Sequence, residues 1–109
     1  MSNEVQKIMS LFGDKDTKHL KHGRITVVNT DEQSGVYVDH NRVAFTTKDG
    51  DLYIDNNNDF SQFMRTTLNC LPGVDIQTNG IAWYLNGVEW NGHTKLIGEY
   101  DKLINGGTT

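Results

Sequence analysis

Three Asn-Gly pairs lie within residues 78–92, in the stretch TNGIAWYLNGVEWNG. A two-residue type I′ turn needs positive φ at both central residues, and Asn-Gly adopts this conformation at the lowest cost. The spacing between Asn79-Gly80 and Asn86-Gly87 leaves room for one short strand and is incompatible with a continuous helix. The stretch therefore predicts a three-stranded antiparallel meander with an Asn-Gly pair at each of its two tips.

These two turns also predict which residues face each other. The first turn sets Ile76 opposite Trp83, and the second sets Trp83 opposite Trp90. Alternate residues of a strand share a face, so the apolar side chains gather on one side of the meander. The predicted apolar face consists of Val74, Ile76, Ile81, Trp83, Leu85, Val88 and Trp90.

The third pair, Asn91-Gly92, is interpreted differently. A tight turn there would place His93 and Lys95 on the apolar face, so we expect the meander to end at Trp90. Beyond it, apolar residues recur at helical spacing and predict a third helix. These residues are Leu96, Tyr100, Leu103 and Ile104. Residues 106–109, GGTT, are expected to be frayed.

A second region of alternation begins at Ile25. A two-residue turn at Asp49-Gly50 places Phe45 opposite Ile54, and a turn at His40-Asn41 places Asp39 opposite Arg42. This register predicts a four-stranded meander whose apolar face contains Ile25, Val27, Val36, Val38, Val43, Phe45, Leu52 and Ile54. Its other face is predicted to carry Tyr37, Ala44, Thr46, Tyr53 and Asp55.

Helical spacing occurs before and between the two meanders. A short amphipathic helix is predicted ahead of Gly13, and residues 14–23 read as a polar connector. A second helix is predicted after Asp59, which serves as its cap, with an apolar stripe of Phe60, Phe63, Met64 and Leu68. The predicted order is α-ββββ-α-βββ-α, an α+β fold with antiparallel sheet, in a single domain over residues 1–109. Whether the two meanders form one sheet or two stays open.

Composition restricts the classes of protein to consider. Cys70 is the only cysteine, so the chain has no internal disulfide. No apolar run approaches the roughly 20 residues that span a bilayer, and we expect a cytoplasmic protein without a membrane partner. Residues 1–24 carry five Lys/Arg against three acidic residues, and the remainder carries five against eleven. Nucleic-acid binding would therefore depend on a local basic patch.

The densest basic segment is KHLKHGR, residues 18–24. It could contact phosphates or respond to pH through its histidines, or it could be a solvated connector. If the segment is helical, two of its histidines share a face and could ligate a metal, although a third ligand would have to come from elsewhere. The candidate binding residues of this segment are Lys18, His19, Lys21, His22 and Arg24. We predict neither a metal site nor a bound cofactor.

Tyr37 and Tyr53 are predicted on the same face of the first sheet, opposite its core. Exposed aromatic side chains on a sheet can stack on nucleic-acid bases. This face lacks interleaved Arg or Lys in the predicted register, and tyrosine is also a favoured strand residue, so a helix could pack there instead. Both residues are candidate binding residues.

No catalytic arrangement is evident. Cys70 has no local signature of an activated thiol and is interpreted as a small core residue. We therefore predict that the chain is not an enzyme.

The phrase WYLNG, Trp83 to Gly87, resembles a strand-and-turn phrase of small uncharacterised proteins of tailed bacteriophages, including marine ones. The resemblance covers five residues of 109. It implies a small cytoplasmic accessory protein and carries over no catalytic residue.

Three hypotheses of function remain. The first is a non-catalytic binding module that binds a protein or self-associates through a sheet face or an edge strand. The second is nucleic-acid binding through the basic segment 18–24 and the two tyrosines. The third is a small hydrolase or metal-dependent enzyme.

Overall fold

A computed structural model describes residues 2–105, with side chains from residue 4 onward. The helices are α1 (Ser2–Met9), α2 (Gln62–Leu68) and α3 (Tyr100–Ile104). The strands are β1 (His19–His22), β2 (Ile25–Asn29), β3 (Ser34–Val38), β4 (Asn41–Thr46), β5 (Asp51–Ile54), β6 (Ile76–Thr78), β7 (Trp83–Leu85), β8 (Val88–Trp90) and β9 (Lys95–Glu99). The α+β class with antiparallel sheet is confirmed. Two strands, β1 and β9, are additional to the predicted order. The predicted fraying of residues 106–109 lies outside the described residues.

The strands form two sheets. The larger has the order β1-β2-β3-β4-β5-β9, and the smaller has the order β6-β7-β8. The chain thus leaves the first sheet after β5, builds the second sheet, and returns as β9 to pair with β5. One cluster of buried apolar side chains joins both sheets to α1 and α2, so they share a core.

The larger sheet has two unlike faces. We call inner the face that carries Val27, Val36 and Leu52, all fully buried. Ile8 and Met9 of α1 and Met64 and Leu68 of α2 belong to the same buried cluster, as do Trp83 and Trp90 of the smaller sheet. We call outer the opposite face, which carries Tyr37, Phe45 and Tyr53, all only partly buried.

The register between β3, β4 and β5 differs from the prediction. The β3–β4 turn is Asp39-His40, with φ of 52° and 75°, rather than His40-Asn41. The β4–β5 loop has three residues instead of two, because Thr47 N donates to Asp51 O at 3.0 Å and Gly50 adopts φ of 90°. A bulge lies between the pairs of Val36 and Tyr37. Such a loop and a bulge each shift a strand by one residue.

This shift moves three side chains across the sheet. Phe45 pairs with Tyr53 and lies on the outer face, although alternation predicted it in the core. Ala44 and Thr46 were predicted outside and are buried. Tyr37 and Tyr53 share the outer face, as predicted.

The segment predicted as a polar connector, residues 14–23, contains a strand. Residues 19–22 form β1, which pairs with β2 along its full length. All four residues are exposed, so the strand lacks the buried alternation that predicts strands from sequence. Residues 14–18 remain outside helices and strands, consistent with a connector.

The smaller sheet confirms the second turn and corrects the first. Trp83 pairs with Trp90, as predicted. Ile76 pairs with Leu85 instead of Trp83, because the first tip moves to Gly80-Ile81. Ile81, predicted on the apolar face, lies at this tip and is 94% exposed. Val88 pairs with Leu85 on the apolar face, as predicted, and is 69% exposed.

The segment after Trp90 contains a strand where a helix was predicted. The meander ends at Trp90, and Asn91-Gly92 is not a hairpin tip. Residues 95–99 form β9 along the edge of β5, and only the last turn, α3, is helical. The spacing of the apolar residues after Trp90 is compatible with a helix or a strand. The unpaired edge of β5 favours the strand.

Helix α2 begins later than predicted. Ser61 is its cap, with the hydroxyl oxygen accepting from Met64 N at 3.1 Å. Asp59 instead accepts from Ser61 N at 2.9 Å. Phe60 therefore lies before the helix, where its ring contacts Trp83 edge-on at 5.0 Å between centroids.

A buried asparagine connects α1 to the sheet. Asn29 is 2% exposed. Its Nδ2 donates towards the carbonyls of Leu11, Asp14 and Thr17 at 2.9, 3.0 and 2.6 Å. Its Oδ1 accepts from Gly13 N at 2.9 Å. This one side chain thus satisfies the backbone that leaves α1.

The described helices are short. The longest has eight residues. In the described part of the chain, no helix has the length and apolar character needed to cross a bilayer.

Candidate functional site

The outer face of the larger sheet is the most distinctive surface of the molecule. Strand pairing places its side chains in two rows that run across the strands. The first row is Lys21, Thr26, Tyr37 and Arg42. The second row is His19, Val28, Gly35, Phe45, Tyr53 and Leu96. The two helices α1 and α2 contribute to the core on the other side of the sheet.

Arg42, Phe45 and Tyr53 form a continuous stack on this face. The guanidinium carbon of Arg42 lies 3.9 Å from the centroid of the Phe45 ring. The Phe45 and Tyr53 rings are nearly parallel, at 10°, with centroids 5.4 Å apart. An exposed cation over an aromatic ring contributes about 0.5–1 kcal/mol, which holds the arginine in place without neutralising its charge. Arg42 therefore presents an oriented positive charge beside aromatic rings.

The predicted pairing of Asp39 with Arg42 is wrong. Asp39 accepts from Arg24 instead, with Nη2 2.6 Å and Nε 3.1 Å from Oδ2. The hydrogen bonds from Arg24 hold the pKa of Asp39 below its usual range and raise the pKa of Arg24. The turn at Asp39-His40 places Asp39 beyond the end of β3, and Arg42 is left to the aromatic side chains of the outer face.

A small cavity opens on the outer face beside Gly35. Its volume is about 150 Å³. Its lining includes Val28, Tyr37, Arg42 and Phe45, with Thr30 and Gln33 at the polar end. The Tyr37 ring lies across Gly35, because a Cβ built on this glycine would come 3.3 Å from Tyr37 Cε1. The missing side chain of Gly35 thus lets an aromatic wall stand close to the sheet.

The structure divides the basic segment 18–24. Lys21 and His19 lie on the outer face. His22 lies on the side of α1, with Nε2 3.1 Å from Glu4 Oε1. Lys18 lies 3.4 Å from Asp31. The segment is therefore not one continuous basic patch, and only part of it joins the predicted tyrosines.

Arg24 belongs to a different surface. Besides Asp39, its Nη2 lies 4.0 Å from Asp59. Its guanidinium carbon lies 4.3 Å from the centroid of the Phe63 ring of α2. Its charge is thus compensated by two carboxylates on the helix side of the sheet.

Charge is distributed unequally over the outer face. Lys21 on β1 and Arg42 on β4 are the two ends of the first row, and His19 begins the second row at the β1 end of the sheet. At the other end, Asp51 of β5 pairs with Glu99 of β9, and Lys102 compensates Glu99 at 2.9 Å. The Gly35 cavity, on β3, lies between the two strands that carry these cations.

A second, larger cleft lies between α1 and α2. Its volume is about 1000 Å³, and Val5, Phe63 and Cys70 are among its lining residues. Burial raises the pKa of the Cys70 thiol, which contacts Thr66 O at 3.4 Å. The thiolate is the nucleophilic form, so this environment disfavours nucleophilic chemistry.

The histidines of the basic segment do not form a pair. His19 and His22 are three residues apart on a strand, so they point to opposite faces rather than sharing one. Within residues 2–105, no group of three or more His, Cys, Asp and Glu side chains is arranged to hold a metal ion.

Sequence reasoning missed three residues of the outer face. Arg42 was assigned to Asp39, Phe45 was assigned to the core, and Gly35 was not considered. The Asp49-Gly50 pair carried a usable signal, since glycine at the last position of a three-residue loop is a common hairpin ending. With that loop, Phe45 pairs with Tyr53 on one face, and the bulge brings Tyr37 to the same face.

Known proteins offer no relative from which a function could be transferred. No protein-family model, no curated protein and no solved structure gives a significant match to this chain. The resemblance of residues 83–87 to bacteriophage proteins stays a prediction, and only the geometry of the molecule bears on its function.

Proposed function

We propose that this chain is a non-catalytic binding module that takes single-stranded nucleic acid on the outer face of its larger sheet. One observation carries the proposal: Lys21, Tyr37 and Arg42 occupy one row of that face, directly beside the Phe45–Tyr53 stack. Single-strand binding combines cations that follow the backbone with aromatic rings that stack on bases.

The corrected register supports this proposal. In the predicted register the tyrosine face lacked a cation, and this argued against nucleic acid. In the structure Arg42 lies over the Phe45 ring, and Lys21 lies in the row of Tyr37. Neither forms an ion pair with an acidic side chain of the described residues. A local cationic surface can therefore exist on a chain with a net charge of -4.

A single strand fits this face better than a duplex. The face is a twisted sheet surface rather than a protruding helix or ribbon that could enter a groove. Its aromatic rings can contact only bases that are unstacked from their neighbours. We expect single strands to bind more tightly than duplexes of the same length.

The test is fluorescence anisotropy of labelled single-stranded and duplex oligonucleotides at low and physiological salt. We expect binding of the single strand that weakens as salt rises. The double variant Lys21→Ala/Arg42→Ala should bind more weakly, and its slope of log affinity against log salt should fall by about 0.7 for each phosphate that the variant no longer neutralises.

A matched control removes equal charge elsewhere. Lys7 and Arg65 lie on α1 and α2, on the helix side of the sheet. The variant Lys7→Ala/Arg65→Ala should bind as the parent protein does. Equal weakening in both double variants would indicate unspecific attraction, and no binding at low salt would overturn the proposal.

The second candidate is a protein partner or self-association. The observation that favours it is the position of β1 at the edge of the larger sheet, with four exposed residues. In the described sheet, β1 pairs with β2 on one side and with no strand on the other. Edge strands are templates for pairing with another chain, although the lysine in β1 opposes this. Light scattering at micromolar concentration tests self-association, and a strict monomer would reject it.

A further inference from the structure

The cavity beside Gly35 is unlike the rest of the outer face. Elsewhere the rows are filled by side chains, but at this position β3 contributes no side chain between Val28 and Phe45. The gap is walled by the Tyr37 ring on one side. A defined depression therefore interrupts the aromatic surface.

Its size restricts what it can hold. Pockets that enclose a drug-sized ligand have volumes of roughly 300–1,000 Å³. The cavity beside Gly35, at about 150 Å³, is smaller than this range. It has room for one planar ring system and not for a whole nucleotide cofactor.

Its walls suit a flat, partly polar ring. Tyr37, Phe45 and Val28 supply aromatic and apolar surface, and Arg42 extends along the Phe45 ring. At the other end Gln33 supplies an amide, and the Thr30 hydroxyl is hydrogen-bonded to the Gln33 backbone. The Gln33 amide is oriented by a hydrogen bond from Nε2 to Thr46 O at 3.3 Å. Aromatic walls with hydrogen-bonding groups at one edge are the features that recognise a nucleobase.

Its surroundings carry the complementary charge. Lys21 and Arg42 occupy the row next to that of Gly35. Lys15 is held near Thr30 by hydrogen bonds from Nζ to the carbonyls of Thr30 and Asp31, at 3.2 and 2.6 Å. A base in the cavity would thus have cations on both sides to receive the phosphates that flank it.

We propose that the cavity beside Gly35 is a subsite for a single nucleobase of the bound strand. The inference rests on the proposed function and deepens it. A surface that only stacks bases is tolerant of sequence, whereas a cavity for one base makes affinity depend on the base at one position.

The experiment fills the cavity. Gly35 does not require positive φ, so a β-branched residue is compatible with its strand backbone. In Gly35→Val the added side chain must displace the Tyr37 ring, since its Cβ alone would already be 3.3 Å from that ring. Tyr37→Leu is the second variant, which removes the aromatic ring beside the cavity and keeps glycine at position 35. Thermal unfolding confirms that each variant is folded.

The measurement compares two labelled probes by anisotropy at low salt. One is an oligothymidylate, and the other is an abasic strand of the same length and charge. We expect the parent protein to prefer the base-bearing strand, and Gly35→Val to lose about tenfold of that preference, as for one stacked base. Thr26→Val, on the same face and outside the cavity lining, should keep the preference.

The outcomes separate the inference from the proposed function. If Gly35→Val retains the full preference, the cavity subsite is overturned while the outer face stands. If the parent protein binds both probes equally, phosphates alone are recognised, and both the subsite and the stacking of bases on the outer face are overturned. If neither probe binds, the proposed function fails as well, and the outer face is left to a protein partner.

Discussion

The side chain of Asn56 occupies the space that a Cβ on Gly92 would need. The two residues also share a backbone hydrogen bond, from Asn56 N to Gly92 O at 2.9 Å. Asn56 follows β5 and Gly92 precedes β9, so this contact fixes the point at which the chain returns to the larger sheet. Both residues are buried. The third Asn-Gly pair therefore lies where two segments cross closely, and it is not the tip of a hairpin.

This crossing predicts a difference between two glycines. Gly92→Ala should lower the free energy of unfolding by more than about 2 kcal/mol, because the new Cβ collides with Asn56 in addition to the strain of positive φ. Gly87→Ala is the matched control, since Gly87 has nearly the same φ, 88° against 89°, and open space around it. Urea unfolding of both variants measures the difference. Equal losses would show that the contact with Asn56 is unimportant.

The Asn29 side chain predicts a large cost for its removal. Asn29→Ala leaves Gly13 N and several carbonyls of residues 11–17 without their partner in a buried site. We expect a loss of about 2–4 kcal/mol in the free energy of unfolding. The control is Asn41→Ala at an exposed position, which should stay within about 0.5 kcal/mol of the parent. If Asn29→Ala also stayed within about 0.5 kcal/mol of the parent, the role of Asn29 in anchoring α1 would be contradicted.

The Arg24–Asp39 pair predicts a pH dependence. Because the pKa of Asp39 is lower in the folded protein, its contribution to stability is present above the unfolded-state pKa. It is lost as the pH falls through the folded-state pKa. Asp39→Asn should therefore lower the Tm at pH 7, and the difference from the parent should vanish in acid. Asp31 forms an exposed pair with Lys18 at 3.4 Å. Asp31→Asn should therefore change the Tm less than Asp39→Asn does. A Tm difference that is constant across this pH range would argue against the pair.

The environment of Cys70 predicts a slow thiol. Burial raises its pKa, which reduces the thiolate fraction available at pH 8. We expect a thiol reagent such as DTNB to modify the folded protein more slowly than the same protein in denaturant. Cys70→Ser should abolish the reaction in both states. Faster modification in the folded state would reveal an activated thiol and support the hypothesis of an enzyme.

Sequence patterns predicted the fold where the buried periodicity was strong. The second Asn-Gly turn and the Trp83–Trp90 pair are confirmed because both strands have one clearly apolar face. Strands β1 and β9 were missed because their exposed residues show little alternation. Their structure depends on the neighbouring edge rather than on their own sequence.

The candidate site depended on details that a pattern does not contain. One bulge and one additional loop residue transferred Phe45 from the predicted core to the outer face. The same local changes separated Arg42 from Asp39 and placed it over the Phe45 ring. Tyr37 and Tyr53 lie on one face in both the predicted and the observed register, so alternation assigned them correctly. The position of Arg42 beside them depends on the bulge and could not be assigned in this way.

The pairing of β5 with β9 joins Asp51 to Glu99, almost half the chain away. During translation, residues 19–54 emerge first and can assemble five strands before the last strand has been synthesised. Until residues 95–99 leave the ribosome, one side of β5 is an open backbone edge, which can recruit other nascent chains. A product interrupted before residue 95 would retain the outer face and yet accumulate as aggregate.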